Sequence, residues 1–384
     1  MRVFIVAGEA SGDKLGAALM KGLRAHRSDV QFEGVGGDRM IAEGLQSLFP
    51  MDEISIMGIT EILSQYWHLK ARIRETADAV LAAKPDVLIT IDLPEFGLRV
   101  AKLVKERSEI RTVHYVAPTV WAWRPGRAKK MARHIDQVLA LLPFEPPYME
   151  AAGMRCDFVG HPVVTDPVAS QDDMAKFRKT YRINGAPFAL ILPGSRRSEV
   201  SRLLPIFKDV VAELELKRPD LKFVLPAAPN VAALVHDAIA TWSVKPIVIN
   251  PAEDGAETKQ AAFGAADVAI AASGTVSLEL AASGTPMVIA YDMNWLSRQI
   301  IGRMLLIDTV TLVNLVADTR VVPECIGDDC QPKPIAEAVL GTLAAPDKQI
   351  AAMALTMERL GQGGLAPGER AALAVLDGVN ENGG

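Results

Sequence analysis

Short runs of β-branched and other apolar residues alternate with stretches of helical periodicity along nearly the whole chain. In the first half the apolar runs are Val3–Ala7, Gln31–Val35, Val87–Ile91, Arg111–Val116, Gln137–Ala140 and Asp157–Val159. Between the first two, Leu15, Leu19 and Leu23 recur at every fourth position, which predicts a helix over Lys14–Arg27. In the second half the runs are Phe188–Leu192, Lys222–Leu225, Ile247–Ile249, Val268–Ala271 and Pro286–Ala290. Continuous apolar strands separated by helices describe parallel sheets covered on both faces. The pattern occurs twice. The predicted class is therefore α/β, with two doubly wound Rossmann-like parallel-sheet domains in series and ligands expected in the cleft between them.

The join is expected from Gly160-His161-Pro162 through Pro167, which gives a first domain over 1–165 and a second over 166–345. After Lys333 the sequence is helical and alanine-rich, interrupted by Pro346 and by Gly361 through Gly368. A tail over 346–384 has no strand of its own. It is expected to pack back on the first domain or on a partner subunit.

Composition narrows the class. A chain of 384 residues with 49% hydrophobic content can bury two sheets, which excludes wholesale disorder. Its formal net charge of -5 argues against a nucleic-acid binder, which carries a broad basic face. Cys156, Cys325 and Cys330 are odd in number and lack zinc-site spacing, so reduced thiols of an intracellular protein are expected. Met1-Arg2 runs straight into a strand pattern, without the apolar stretch and cleavage site of a secretory signal. Nowhere do about 18 apolar residues run together, so the expectation is a soluble or peripheral protein.

Candidate chemistry gathers at the predicted strand ends. Ile191-Leu192-Pro193 leads into Gly194-Ser195-Arg196-Arg197, a glycine turn opening a helix with two cationic donors. Free N–H groups, a positive dipole end and arginine suit a diphosphate without a metal; an ordinary turn with solvated arginines is the plainer alternative. Ile270-Ala271-Ala272 is followed by Ser273-Gly274-Thr275 and, four residues after Thr275, by Glu279 on the same helix face. That carboxylate could take both ribose hydroxyls of a nucleotide, or be a solvated helix charge. Together the two ends mark a nucleotide-diphosphate site.

The first half opens with Gly8-Glu9-Ala10-Ser11-Gly12-Asp13, neither a Walker A loop nor a dinucleotide fingerprint, although its glycines permit close substrate approach. Asp92 and Glu95 end a buried strand, where either could act as a general base or serve as a cap or loop carboxylate. Trp121, Trp123 and Arg124 precede Arg127, Lys129, Lys130 and Arg133. Interleaved aromatic and basic residues suit nucleic acid, an anionic phospholipid or a phosphosugar. The span Ile54–Leu69 is apolar around too much of its circumference for a simple core helix. With Tyr66 and Trp67 at its end it suits a membrane interface; a core or dimer helix is the alternative.

Taken together these segments resemble the lipid-A-disaccharide synthase family, inverting glycosyltransferases of the GT-B fold. The resemblance spans nearly the whole chain. It rests on Val6 through Asp13, Ile56-Met57-Gly58, His114 through Trp123, Leu141 through Glu145, Leu192 through Arg196, and Ala272 through Thr275. It implies a UDP-2,3-diacylglucosamine donor, a 2,3-diacylglucosamine 1-phosphate acceptor, and UDP plus a β-1′,6-linked disaccharide 1-phosphate as products. No metal or other cofactor is implied, and no nucleic acid.

By the same resemblance, Gly194, Ser195, Arg196, Ser273, Gly274, Thr275, Glu279 and Asn314 would hold the donor. Gly8, Glu9, Ser11, Gly12, Asp13, Trp121, Trp123 and Arg124 would meet the acceptor. Ile56, Met57, Ile59, Ile62, Leu63, Tyr66 and Trp67 would rest on the cytoplasmic face of the inner membrane. Exchange of C-terminal segments in a homodimer is also implied. Where the family pattern reads Asp-x-Pro-Asp-Phe-Asn, this chain has Asp92-Leu93-Pro94-Glu95-Phe96-Gly97, which leaves the base open between Asp92 and Glu95. Two rivals share parts of the pattern: another GT-B enzyme, such as a UDP-N-acetylhexosamine transferase or epimerase, and a non-enzymatic lipid- or nucleotide-binding regulator.

Overall fold

Thirteen strands are seen in the computed structural model, which describes residues 1–55, 66–292 and 306–381. β1 (Arg2–Ala7), β2 (Gln31–Val35), β3 (Gln46–Ser47), β4 (Val87–Ile91), β5 (Arg111–Tyr115), β6 (Gln137–Ala140) and β7 (Arg155–Phe158) form one sheet. β8 (Phe188–Leu192), β9 (Lys222–Pro226), β10 (Ile247–Ile249), β11 (Val268–Ala272), β12 (Met287–Tyr291) and β13 (Glu324–Ile326) form the other. Every pairing is parallel, with orders β3-β2-β1-β4-β5-β6-β7 and β10-β9-β8-β11-β12-β13.

The central strands β4, β5, β8 and β11 are buried at all positions, as sheets covered by helices on both faces require. Against the sequence reading, β7 begins two residues earlier and β12 one residue later. The edge strands β3 and β13 are additional; two or three residues are too few to show a periodicity.

The chain divides into two compact units, one of Met1–Thr165 with Gly363–Gly384, the other of Asp166–Gln362. The single tail expected over 346–384 is thus divided. Helix Asp347–Arg359 stays with the second unit, where Arg359 Nη1 donates to the Val316 carbonyl at 2.7 Å. Helix Pro367–Glu381 lies along helix Ala10–His26 of the first unit. Small residues permit the approach: a Cβ on Gly368 would stand 2.7 Å from the Ala18 carbonyl oxygen. Arg155 holds the far end through Asp377 at 2.6 Å and Glu381 at 2.7 Å.

The reversal of strand order sets the two functional ends. In the first sheet it falls between β1 and β4, where Ala7 pairs with Ile91. In the second it falls between β8 and β11, where Leu192 pairs with Ala271. Loops leaving adjacent strands diverge there, so ligands seat outside the carboxyl ends.

Candidate active site

In the second unit both glycine turns follow directly from the reversal point. Gly194 (φ +103°) follows β8 and leads into helix Arg197–Lys217, with Arg196 as its N-cap residue. Gly274 (φ +150°) follows β11 and leads into helix Val276–Ala282. Both torsions favour glycine. The first-turn N–H groups of each helix lack intrahelical partners by geometry, and a phosphate can accept from them.

The turns border one cavity of about 490 Å³. Gly194, Ser195, Arg196, Ser273, Gly274, Thr275 and Glu279 all line it, so seven of the eight expected donor residues come together. Asn230 braces the first turn, its Nδ2 donating to the Ser195 carbonyl at 2.8 Å. Arg196 is exposed and pairs with Glu199 at 3.0 Å, on the cavity wall. Glu279 pairs with Lys259 at 2.6 Å.

Asn314 stands apart from the other seven. Its side chain is fully buried and is not among the residues lining the cavity. Its Nδ2 donates to the Val322 carbonyl at 3.0 Å and to Thr309 Oγ1 at 3.2 Å, while its Oδ1 accepts from Val322 N at 3.1 Å. The amide thus closes a chain reversal ahead of β13, a structural duty. Lys259, Phe263, Glu199 and the Pro226–Pro229 turn also line the cavity but were not foreseen. Lys259 precedes Glu279 by twenty positions, a tertiary pairing without a local signal.

In the first unit Asp92 (φ +49°) and Leu93 (φ +42°) are successive left-handed residues between β4 and helix Pro94–Lys105. Such torsions cost about 1–3 kcal/mol each and persist only where the surroundings enforce them. The Asp92 N–H donates to the Tyr115 carbonyl at 2.9 Å, and the Leu93 side chain fills the space a Cβ on Gly8 would need. Asp92 is half-buried, and among the described residues its carboxylate has no hydrogen-bond or ion-pair partner. Glu95 is exposed and pairs with Arg99 at 3.1 Å and Arg127 at 3.6 Å.

The expected acceptor residues separate. Gly8 lies beside Leu93 and Glu9 is the half-buried N-cap residue of helix Ala10–His26. Ser11 is exposed, while Gly12 is buried facing Ala7 and Ile91. Asp13 is buried and accepts from the N–H groups of Gly37 at 2.9 Å, Arg39 at 3.0 Å and Met40 at 3.1 Å, holding the turn after β2.

Trp121 is buried edge-on to Phe144 and donates to Glu145 Oε1 at 3.2 Å. Burial pushes the Glu145 carboxyl up to about 7. Trp123 is half-exposed beneath the Arg124 guanidinium at 4.4 Å. His114 is buried against Thr90 Oγ1, and burial, then Arg127, pull it down to about 4, leaving it neutral.

Ile56, Met57, Ile59, Ile62 and Leu63 lie outside the described residues. Ile54, at the start of that apolar span, is buried in the first unit's core. At its other end Trp67 is 76% exposed and Tyr66 42%, with Lys70 Nζ 5.3 Å from the Trp67 ring. No helix among the described residues is long and apolar enough to cross a membrane.

Comparison with known proteins follows the same lines. The chain shares its fold with a UDP-GlcNAc 2-epimerase from Neisseria meningitidis solved with UDP-GlcNAc: TM-score 0.64, 12% identity, 100% of both chains covered. That identity carries the GT-B-like fold alone. A lipid-A-disaccharide synthase from Ruegeria pomeroyi is 61% identical over 98% of this chain and 95% of its own. One from Rhodospirillum centenum is 45% identical over 99% and 95%. The family model for lipid-A-disaccharide synthetase matches residues 3–375. The chain belongs to the lipid-A-disaccharide synthase family, and so to the glycosyltransferases rather than to the epimerases whose fold it shares.

Proposed function

We propose that the protein condenses UDP-2,3-diacylglucosamine with 2,3-diacylglucosamine 1-phosphate. The products are the β-1′,6-linked disaccharide 1-phosphate and UDP. The observation that carries the donor half is the cavity at the β8–β11 reversal, walled by both glycine turns, Arg196 and Glu279. UDP would lie there with its diphosphate on the two turns and Arg196, and its ribose hydroxyls on Glu279. These donors stabilise the negative charge that grows on the leaving diphosphate.

The acceptor's 6-hydroxyl oxygen attacks the anomeric carbon from the face opposite UDP. The bond from that carbon to the diphosphate oxygen breaks, and UDP leaves with the electron pair. Asp92 takes the hydroxyl proton. Asp92 is favoured over Glu95 because its carboxylate is half-buried, unpaired among the described residues and held on an enforced left-handed turn. Glu95, by contrast, is exposed and paired with Arg99 and with Arg127 of helix Gly126–Met131.

Both substrates are lipids, so the protein would work from the inner membrane's cytoplasmic face. The exposed Trp67, Tyr66 and neighbouring Lys70 support an interfacial contact there. A homodimer by exchange of C-terminal segments would set the Gly368 face of one chain on the Ala18 face of its partner.

Turnover of Asp92→Asn and Glu95→Gln tests the base. Loss of a general base lowers kcat about 10²–10⁴-fold, so Asp92→Asn should fall that far while Glu95→Gln stays within about three-fold. Equal losses, or a larger one for Glu95→Gln, would move the role from Asp92.

A further inference from the structure

A chain of three contacts runs into the nucleotide cavity from the helix Ala256–Ala265. Phe263, 2% exposed, is anchored in the core, and its carbonyl accepts the buried Thr285 hydroxyl. Lys259 lies one turn earlier on the same helix face, with its Nζ 4.9 Å from the Phe263 ring. The same ammonium donates to Glu279 Oε2 at 2.6 Å. All three side chains line the cavity that holds the Ser273–Thr275 turn.

An unbraced glutamate on the edge of a helix samples several rotamers, and binding must then fix one of them. Here the aromatic ring restrains the ammonium and the ammonium restrains the carboxylate. A carboxylate oxygen accepts more than one hydrogen bond, so the lysine contact leaves Oε1, and a remaining site on Oε2, for neighbouring hydroxyls.

We propose that Lys259 is a positioning residue: held by Phe263, it fixes Glu279 to grip the ribose cis-diol of a uridine nucleotide and so sets selection for ribose over 2′-deoxyribose. The inference rests on Glu279 receiving the ribose, as argued above. It adds a residue to that subsite and makes sugar selection a property of the Phe263–Lys259–Glu279 chain.

The experiment is calorimetric binding of UDP and of 2′-deoxy-UDP to the full-length wild-type, Lys259→Met, Lys259→Arg and Glu279→Gln proteins. A hydrogen bond to a charged group corresponds to about ten-fold in affinity, so wild type should prefer UDP by about that factor. Lys259→Met should bring the preference below about three-fold, and Lys259→Arg should keep it. A general structural role would lower both affinities together and leave their ratio alone. An unchanged ratio in Lys259→Met, with a collapsed ratio in Glu279→Gln, would overturn the role of Lys259 while sparing the ribose site. Equal binding of the two nucleotides by wild type would overturn both.

Discussion

Leu192 and Ala271 are register partners in the parallel β8–β11 pair, so the chain leaves the sheet at adjacent points just before Gly194 and Ser273. Strand order reverses there, and the two turns wall one cavity. Segments about eighty residues apart in sequence thereby border a single cavity.

The backbone of the second turn should matter more than the space around it. A Cβ on Gly274 would meet nothing within 4 Å, so Gly274→Ala acts through its φ of +150° alone. We expect a cost of about 1–3 kcal/mol, expressed as at least about a five-fold loss of UDP affinity as the turn relaxes. Titration calorimetry beside thermal melting checks this; unaltered UDP affinity would mean that this turn does not bind the diphosphate.

Much of this arrangement was legible in the sequence. The apolar runs at Val87–Ile91 and Phe188–Leu192 coincide with β4 and β8, because strands buried on both faces leave no polar interruption. The glycine turns were legible because they combine a φ requirement with a strand end. Asp13, Trp121 and Asn314 are all buried on protein partners that their local sequence does not announce. Each is a polar or aromatic group that the family resemblance points to, but its partners, Gly37, Glu145 and Val322, become visible only in three dimensions. A motif does not distinguish the residue that holds a loop from the one that touches the ligand.

The burial of Glu145 predicts a pH dependence of stability. Glu145 is held at about 7 in the folded protein, above its usual value of 4.5, by burial. Its protonated form is favoured by folding, so this contribution is complete below about pH 4.5 and is lost as pH rises through about 7. Glu145→Gln should flatten that fall. His114, depressed to about 4, acts in the opposite sense, losing stability as pH drops from 6.5, but it is common to both proteins and cancels in their difference. Urea denaturation of both between pH 5 and 8 measures it; parallel curves would contradict the assignment.

The docking of the last helix depends on missing side chains. A Cβ on Gly22 would stand 2.7 Å from the Gly368 carbonyl oxygen and 2.9 Å from the Ala372 methyl. Gly22→Val should therefore push helix Pro367–Glu381 away and destabilise the first unit by about 1–3 kcal/mol, as overpacking does. A thermal midpoint unchanged from wild type would show that the contact yields freely.

Membrane contact is predicted separately from nucleotide binding. Replacing Met57, Ile59 and Trp67 by serine should lower co-sedimentation with anionic vesicles several-fold and leave UDP affinity within about two-fold. Unchanged partitioning would remove the membrane role from these three residues.

The most direct test of the central claim is UDP release from UDP-2,3-diacylglucosamine in mixed micelles, with and without 2,3-diacylglucosamine 1-phosphate. The account predicts UDP formed only with the acceptor, in equal amount to a disaccharide 1-phosphate. UDP released equally without acceptor, or UDP binding with no turnover of this pair, would contradict it.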